Sequence, residues 1–439
     1  MFCHIDADSF FASVLVRKHP HLRGKPLLAM GMGGGCVISA SYEAKKFGVK
    51  TGMRLSEARK LAPHALAMPS DFAETGIASD QIEEIIRTYG PHVEEMSVDE
   101  WFLDIASITG GIPKDLAGWA ENIRREIVSR TAISVSVGIG PTKLLAKMAS
   151  EYKKPAGRTV ITMEGGKLDE VTIGLRAFLA DRPAAAIPGI GRQRLQHTDA
   201  HGWTTALHIA DAPEHLLKKL FGSPGSDLKK ELLGQVVYKI TVDPAPPKSL
   251  SRARSFLPTS DESILRAHGI RHMEYLLLKL RRHGLMARGM SFWLRDRTYT
   301  QYQGTQRAFP SPANTQTAIF PIFTGAFNEL YKPNCAYTQV GLTLFSLVPE
   351  GASQLSLLDA PGAFEGAEAL QASLDALQTR FGRNAIPAQL LCRYGAEHRS
   401  IWNSPCPGAV RLICGNWRRS ESEERKDVEE IEARKDIAL

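Results

Sequence analysis

The stretch SVDEWFLD, residues 97–104, places two adjacent carboxylates, Asp99 and Glu100, inside an otherwise apolar run that reads as a strand. Strands favour β-branched and aromatic residues, so two acids at these positions need a separate explanation. In an ideal strand their side chains would point to opposite faces, and both can address one site only near a strand end or a hairpin tip. We therefore expect Asp99 and Glu100 to lie at such a tip.

A second acidic pair, Asp6 and Asp8, ends a strand-like run in the sequence HIDAD. If the two strands are neighbours, at least three carboxylates crowd together, and like charges about 4 Å apart repel by roughly 4 kcal/mol at an effective dielectric near 20. An all-oxygen cluster of this kind is what Mg²⁺ requires, especially beside a phosphate substrate. Spacing alone leaves two alternatives open, namely protonation of one carboxyl or a role for the acids as caps and surface residues.

Composition favours a soluble protein with an anionic partner. The 439 residues carry a net charge of +7, and ten Lys or Arg against four Asp or Glu lie between Ser249 and Thr300. Such a basic segment suits a nucleic acid or another polyanion.

The length predicts two to four domains. No apolar run approaches the roughly 18 to 20 residues of a membrane span, and the N-terminus lacks the sections of a secretory signal, so we expect a cytoplasmic protein without membrane association. The six scattered cysteines, without zinc spacing, are expected to be free thiols.

Strands and helices intermix over the first 160 residues, which predicts an α/β or α+β sheet covered by helices. Asp8 stands where an N-cap would for a helix through FFASVLV, and YEAKKFGV reads as a helix stopped by Gly48. The proline-rich PAPPKSL, residues 244–250, predicts an extended linker. Beyond it, alternating stretches and a helix near 261–283 predict a small sheet backed by helices.

Five stretches then point to one family. They are, in chain order, HIDADSFFASV, SASYEAKKFGV, SVDEWFLD, SVGIGPTKLLAKMAS and KKPAG. Their order and spacing resemble the serial motifs of the Y-family translesion DNA polymerases of the DinB and UmuC type, over roughly residues 1 to 350. The resemblance implies an α+β multidomain right-hand polymerase. Its expected parts are a ferredoxin-like palm (1–10 and 72–161), small fingers (11–71), a helical thumb with a helix-hairpin-helix (162–238), a linker (239–248), an α/β little finger (249–349) and a C-terminal tail (350–439).

The same resemblance assigns the chemistry. It implies that Asp6, Asp99 and Glu100 are the catalytic carboxylates and hold two Mg²⁺ ions, with the main-chain carbonyl of Ala7 as a further ligand. Phe11 matches the bulky steric-gate position that excludes ribonucleotides.

Three side chains are expected to face the incoming triphosphate, namely Tyr42, Lys45 and Lys154. The family usually has Arg where Lys45 stands. Lys binds phosphate as a point charge and lacks the planar fork with which Arg makes a bidentate contact.

Further segments are expected to contact DNA or a partner protein. The segment IPGIGRQRLQ, with Gly189 and Gly191, resembles a helix-hairpin-helix that binds a DNA phosphate through backbone N–H groups. Arg252 and Arg254 alternate on a probable strand and are expected to follow the template backbone. QLSLLD, residues 354–359, resembles the peptide by which bacterial polymerases dock on the sliding clamp (β subunit). Its expected contact residues are Gln354, Leu355, Leu357 and Leu358, the last standing where Phe is common.

The function implied is template-directed DNA synthesis past lesions, in which a primer 3′-OH attacks the α-phosphate of a dNTP and pyrophosphate leaves, without a proofreading exonuclease. Primer-template DNA, dNTP and the sliding clamp would be its partners. Two alternatives are a catalytically silent DNA- and clamp-binding scaffold of the same family and a nucleotidyl cyclase on a similar sheet. The sequence leaves open the DinB or UmuC branch, the need for an accessory subunit, the preferred lesion, the metal used in the cell and the role of residues 385–439.

Overall fold

The chain forms two compact units, Met1–Pro244 and Ala245–Leu439. The computed structural model describes residues 1–31, 35–165, 169–243, 245–297 and 302–350, together with residues 373, 375, 376 and 380. The expected clamp peptide, 354–359, and residues 32–34 lie outside the described residues.

The described part of the first unit contains two sheets. Its strands are β1 Phe2–Ala7, β2 Leu27–Met30, β3 Val37–Ala40, β4 Leu66–Pro69, β5 Val93–Ser97, β6 Glu100–Asp104, β7 Val135–Gly140, β8 Arg158–Thr162 and β9 Thr172–Gly174. The larger sheet has the order β5-β6-β1-β7-β8-β9, and the smaller one has the order β3-β2-β4. Strand β1 is buried along its whole length and runs antiparallel to both of its neighbours, β6 and β7. The N-terminal HIDA run therefore lies at the centre of the large sheet.

The described part of the first unit also contains α-helices. They are α1 Phe10–Lys18, α2 Tyr42–Lys45, α3 Leu55–Leu61, α4 Phe72–Tyr89, α5 Leu116–Thr131, α6 Lys143–Ser150, α7 Leu175–Asp181, α8 Arg192–Ala200, α9 Ala206–Asp211, α10 Glu214–Phe221 and α11 Ser223–Leu232. Apolar residues of α4 and α5 share a core with alternate residues of β1, such as Ile5. Helix α6 packs on β1, β7 and β8 from the opposite face, where Ala146 contacts Phe2 and Phe102.

Helix α6 lies unusually close to the sheet because β7 contains Gly138. A Cβ atom at this position would lie 2.2 Å from the carbonyl oxygen of Ala146 and 2.2 Å from the amide nitrogen of Ser150. Such distances are far below van der Waals contact, so any side chain here would push the helix away. The contact matters for the site because α6 brings lysine side chains over the central strands.

Two local predictions are wrong. Asp8 does not cap the first helix, because α1 begins at Phe10 and its N-cap is Ser9, which has φ 48° and makes no capping side-chain bond. The carboxylate of Asp8 is instead occupied by donors from other segments, described below. The predicted YEAKKFGV helix is also shorter than expected, since α2 ends at Lys45.

Between residues 245 and 350, the described part of the second unit forms a four-stranded sheet backed by two helices, in agreement with the predicted small sheet backed by helices. Its strands are β10 Ser249–Thr259, β11 Leu285–Asp296, β12 Tyr302–Ala313 and β13 Tyr337–Pro349, in the order β10-β13-β11-β12. Helices α12 Glu262–Arg282 and α13 Gln316–Leu330 pack on one face and share an apolar core with the strands. Among the described residues, no helix combines the length and the apolar character needed to cross a membrane.

A buried carboxylate holds the end of the first unit in place. Glu231, which is 1% exposed, accepts hydrogen bonds from the backbone N–H groups of Val237 (2.7 Å), Tyr238 (3.0 Å) and Leu144 (3.2 Å). It thus joins the segment after α11 to the start of α6. Glu94 adds a second anchor, because it pairs with Lys143 and accepts from the backbone N–H of Thr241 at 2.7 Å.

We expect Glu231→Ala to lower the free energy of unfolding by about 2–4 kcal/mol, because it leaves three backbone N–H groups without their acceptor. Urea unfolding of the full chain measures this, with Glu214→Ala, at an exposed position of α10, as the matched control. Equal unfolding midpoints for the two variants would contradict the assignment of Glu231 as a structural anchor.

Candidate active site

The acidic residues of the two N-terminal motifs meet at one end of the large sheet. Asp99 lies in the turn between β5 and β6, and Glu100 begins β6, so the expected hairpin tip is confirmed. In the register of β1 with β6, Asp6 lies directly opposite Glu100. The backbone N–H of Ala7 donates to the carbonyl oxygen of Asp99 at 2.9 Å. The strands that carry the two motifs are thus neighbours, as the carboxylate argument required.

Lysine side chains neutralise two of these acids. Lys147 of α6 forms an ion pair with Glu100, and Lys154 of the KKPAG loop forms one with Asp6. The carboxylate of Asp99 accepts from the hydroxyl of Ser97 at 2.5 Å. Within the part of the chain that the structure describes, no three His, Cys, Asp or Glu side chains are grouped so that they could hold a metal ion. The acids therefore adopt an arrangement in which ammonium groups balance their charge.

Asp6 carries the clearest electrostatic signature. Burial raises the pKa of Asp6 to about 7, against the opposing effect of Lys154, and the negative charges of Glu100 and Asp99 raise it further. The mutual influence of the three carboxylates is the repulsion expected from the sequence. Because burial is the largest of these causes, the Asp6 carboxyl resists ionisation, and a bound cation would favour its charged form.

The donor set is chemically suited to Mg²⁺. All of its groups are hard oxygen donors, and Asp6 and Glu100 stand opposite each other on neighbouring strands. Each of them pairs with a lysine ammonium group, and a divalent cation can take the place of that positive charge.

His4 is a site neighbour that the sequence analysis missed. It lies two residues before Asp6 on β1, is fully buried, and its Nδ1 is 2.7 Å from the hydroxyl oxygen of Ser150. Its Nε2 is 3.9 Å from Oε1 of Glu100. Burial lowers the pKa of His4 well below its usual range, and the positive charges of Lys147, Lys154 and Lys143 lower it further, so the imidazole is neutral. A His on the face of β1 that carries Asp6 was a signal available in the sequence.

The three groups expected to face a triphosphate come together. The ammonium group of Lys45 lies 4.3 Å from the ring centroid of Tyr42 and donates to the hydroxyl of Ser9 at 2.8 Å. Burial lowers the pKa of Lys45, and the positive charge of Lys154 lowers it further. A cluster of two lysines beside the acidic end of β1 is suited to a polyanion.

Phe11 lies at the start of α1, partly buried, and its ring packs edge-on against Phe72 with 5.8 Å between centroids. Phe72 is the first residue of α4 and was not singled out from the sequence. Two aromatic rings thus stand side by side at the expected steric-gate position.

The expected DNA-contact residues belong to both units. In the first unit, Gly189 has φ 90°, and its carbonyl oxygen accepts from Arg194 at 3.1 Å, while Gly191 precedes α8 as its N-cap. In the second unit, the guanidinium carbon of Arg252 lies 3.9 Å from the ring centroid of Tyr275 in α12, and Arg254 is exposed. DNA contact by these four residues stays a prediction.

Comparison with known proteins identifies the family. Residues 5–151 match a family model described as the impB/mucB/samB family, and residues 247–357 match that family's C-terminal domain. DNA polymerase IV of Staphylococcus epidermidis is 31% identical over 364 residues, which are 81% of this chain and 98% of the relative. DNA polymerase IV of Moorella thermoacetica is 32% identical over 402 residues, 87% of this chain and 93% of the relative. The chain belongs to the DNA polymerase IV group of the Y family.

By family membership, the chain is a DNA-directed DNA polymerase of the DinB-like branch, which closes the choice that the sequence left open. Solved Y-family structures share its fold. A Y-family polymerase chimera, Dbh-Dpo4(243-245)-Dbh, superposes with a TM-score of 0.67 at 23% identity and covers 79% of this chain and 99% of its own. A Dbh DNA polymerase in an insertion ternary complex gives 0.54 at 22% identity with the same coverage. The C-terminal sheet unit is accordingly the little finger of the family.

The raised pKa of Asp6 predicts a pH effect on stability in the absence of divalent cations. The folded pKa, about 7, exceeds that of an unfolded aspartate, so the folded state holds the proton longer. The wild-type protein should therefore lose stability between about pH 4 and pH 7, by at most about 4 kcal/mol from this group. Asp6→Asn cannot ionise and should gain stability relative to wild type over that window.

Urea unfolding in a chelator at pH 5 and pH 8 measures the difference. Asp104→Asn, at the opposite end of β6, is the control and should show no such gain. A pH-independent difference between Asp6→Asn and wild type would remove the electrostatic explanation.

Proposed function

We propose that this chain catalyses template-directed DNA synthesis and inserts dNTPs opposite and past damaged bases, without a proofreading exonuclease. The observation that carries the proposal is the direct opposition of Asp6 and Glu100 across β1 and β6, with Asp99 in the adjoining turn. Membership in the DNA polymerase IV group supplies the reaction class. The charges of Glu100 and Asp99, which add to the effect of burial on the pKa of Asp6, support cation binding at the same place.

In the proposed reaction the primer 3′-OH attacks the α-phosphate of a dNTP and pyrophosphate leaves. Asp6, Asp99 and Glu100, with the main-chain carbonyl of Ala7, would hold two Mg²⁺ ions. When bound, such ions activate the attacking hydroxyl and stabilise the leaving oxygen. The ion pairs of Lys147 and Lys154 with these acids support an exchange in which the metal takes over the carboxylates.

The lysines and Tyr42 have their own part in this proposal. Lys154, once its pairing with Asp6 is exchanged, can bind the triphosphate together with Lys45, and both cations would stabilise the charge that builds up during phosphoryl transfer. Burial raises the pKa of Tyr42, and the negative charge of Asp8 adds to this rise, so its hydroxyl remains a hydrogen-bond donor at neutral pH. Phe11, supported by Phe72, would exclude the ribose 2′-hydroxyl.

The DNA-binding and clamp-binding parts of the proposal rest on the sequence motifs. Gly189, Gly191, Arg252 and Arg254 are proposed to contact the phosphate backbone of primer-template DNA, and residues 354–359 to dock on the sliding clamp. The guanidinium group of Arg252 packs on the ring of Tyr275, and Arg254 is exposed.

We expect Glu100→Gln to slow primer extension about a thousandfold or more, because one Mg²⁺ ligand loses its charge. Binding of primer-template DNA should remain within about threefold, since the DNA contacts lie elsewhere in the proposal. Extension of a lesion-bearing primed template with and without Mg²⁺ measures the first effect, and fluorescence anisotropy of labelled DNA measures the second. Asp104→Asn, on the same strand, is the matched control.

Full activity of Glu100→Gln would refute the carboxylate assignment. A wild-type chain that binds DNA but does not extend the primer would favour the alternative, a catalytically silent scaffold of the same family. In that case the lysine pairings of Asp6 and Glu100 would be the permanent state of the site.

Phe11→Ala should admit ribonucleotides, because it removes the ring proposed to clash with a 2′-hydroxyl. We expect the preference for dNTP over rNTP, measured as the ratio of the two kcat/KM values, to fall at least about tenfold. Phe47→Ala, which removes a half-exposed ring that packs against His64, is the control. An unchanged sugar preference in Phe11→Ala would take Phe11 out of this role.

A further inference from the structure

Asp8 is a carboxylate without a role in the catalysis described above, and its surroundings are unusual. It follows β1 directly and is 2% exposed. Its Oδ1 accepts from the hydroxyls of Ser136 at 2.8 Å and Tyr42 at 3.4 Å. Its Oδ2 accepts from the hydroxyl of Ser134 at 2.7 Å and from the backbone N–H of Ala156 at 2.8 Å. Four donors from three separate segments thus converge on one buried carboxylate.

This occupancy distinguishes Asp8 from Asp6, its neighbour in the HIDAD motif. A carboxylate has about four lone-pair sites, and the four donors to Asp8 use them all. The partners of Asp6 and Glu100 are lysine ammonium groups, which a cation can replace. Those of Asp8 are neutral, namely three side-chain hydroxyls and one backbone amide. Asp8 therefore has no free oxygen position for a metal ion.

Three of the four donors connect Asp8 to groups on the phosphate side of the site. Tyr42 is itself one of the three triphosphate candidates. Ala156 lies two residues after Lys154 and has φ 54°, and the next amide, Gly157, donates to the hydroxyl of Ser136 at 3.3 Å. Asp8 and Ser136 thus fix the loop that carries Lys154 to the end of β7.

The third candidate, Lys45, is held through the adjacent residue. Its ammonium group donates to the hydroxyl of Ser9 at 2.8 Å, and the hydroxyl of Ser13 donates to the carbonyl oxygen of Asp8 at 2.6 Å. Asp8 and Ser9 together therefore contact Tyr42, Lys45 and the loop that carries Lys154. The backbone N–H of Asp8, which donates to the carbonyl oxygen of Ser134 at 2.8 Å, holds the pair to the sheet.

We propose that Asp8 is a positioning residue for nucleotide binding, which holds Tyr42 and the Lys154 loop in the geometry that accepts a dNTP triphosphate. This inference rests on the proposed polymerase function. It assigns to the second acid of HIDAD a task different from metal binding, namely to keep two separately encoded phosphate contacts at a fixed spacing.

The test compares Asp8→Asn with wild type in steady-state primer extension. An asparagine amide keeps the shape of the side chain but presents an NH₂ group to donors. The Ser and Tyr hydroxyls can rotate to adapt, whereas the backbone N–H of Ala156 cannot. We expect the KM for dNTP to rise at least about tenfold, with kcat at saturating dNTP and the Kd for primer-template DNA both within about threefold of wild type.

Two further variants sharpen this experiment. Asp71→Asn is the matched control, because Asp71 is also a hydrogen-bonded carboxylate of the first unit, bound to the backbone N–H of Glu74 and to Lys18, outside the cluster. It should leave the KM unchanged. Ser136→Ala keeps the Asp8 charge and removes one donor, and it should raise the KM for dNTP a few-fold. If Asp8→Asn does not fold, as judged by circular dichroism, Ser136→Ala decides, and an unchanged KM in that variant overturns the proposal.

Calorimetric titration of dNTP and of inorganic pyrophosphate, each with Mg²⁺, gives a readout that does not depend on turnover. If Asp8→Asn binds both compounds more weakly than the wild type does, the proposal is supported. This holds even if the wild-type chain fails to extend primers, because that failure would refute only the polymerase function. A wild-type chain that neither extends primers nor binds either compound refutes both. Two results would overturn the inference. One is an unchanged KM for dNTP in Asp8→Asn. The other is a fall in kcat and in DNA affinity as large as the rise in KM, which would show a merely structural role.

Discussion

The crowding of carboxylates at one end of the central sheet is the constraint on which the rest of this structure depends. Asp6 and Glu100 are direct neighbours across β1 and β6, and Asp99 lies in the adjoining turn. Such an arrangement is unfavourable without counter-charges, because buried like charges repel and lose their hydration. Lys147 from α6 and Lys154 from the KKPAG loop offset this repulsion, because they form ion pairs with Glu100 and Asp6. The pKa of Asp6 is raised mainly because the carboxyl is buried, and the charges of Glu100 and Asp99 raise it further, so a bound cation would favour its ionised form.

The supporting architecture brings the counter-charges to the right place. Helix α6 can approach the sheet because Gly138 has no side chain, and Lys147 then reaches the edge that carries Glu100. The same helix supplies Ser150, whose hydroxyl lies at His4, so that a neutral imidazole lies next to Glu100. The close contact of α6 with the sheet therefore brings both Lys147 and Ser150 to the face that carries Asp6 and Glu100. The opposite face of β1 is purely apolar, and the chemistry is confined to one face of the sheet.

Asp6 and Asp8 show how two acids in one short motif can have different functions. Asp6 is paired with a lysine that is exchangeable, whereas Asp8 is bound by hydroxyl and amide groups that belong to the framework. The first arrangement is suited to a site that takes up a cation, and the second to a site that must stay in one conformation. In the proposed function, Asp6 at the end of β1 is a metal ligand, and Asp8, two residues later, positions the phosphate contacts. This link explains why Tyr42, Lys45 and Lys154, from two distant segments, lie beside the carboxylates.

The sequence by itself determined the family, the main elements and the acids, because alternation, periodicity and motif order are local properties of the chain. It predicted the SVDEWFLD hairpin tip, the helix near 261–283 and the little-finger sheet, which the structure contains at β5–β6, α12 and β10–β13. It misjudged Asp8, since a polar residue before a helix is typical of a cap, and only the position of β7 shows that the carboxylate is already occupied by Ser134 and Ser136. Lys147, His4 and Phe72 escaped notice for the same reason. Their roles come from which strand and helix faces meet in space, and long-range packing, rather than local pattern, decides that contact.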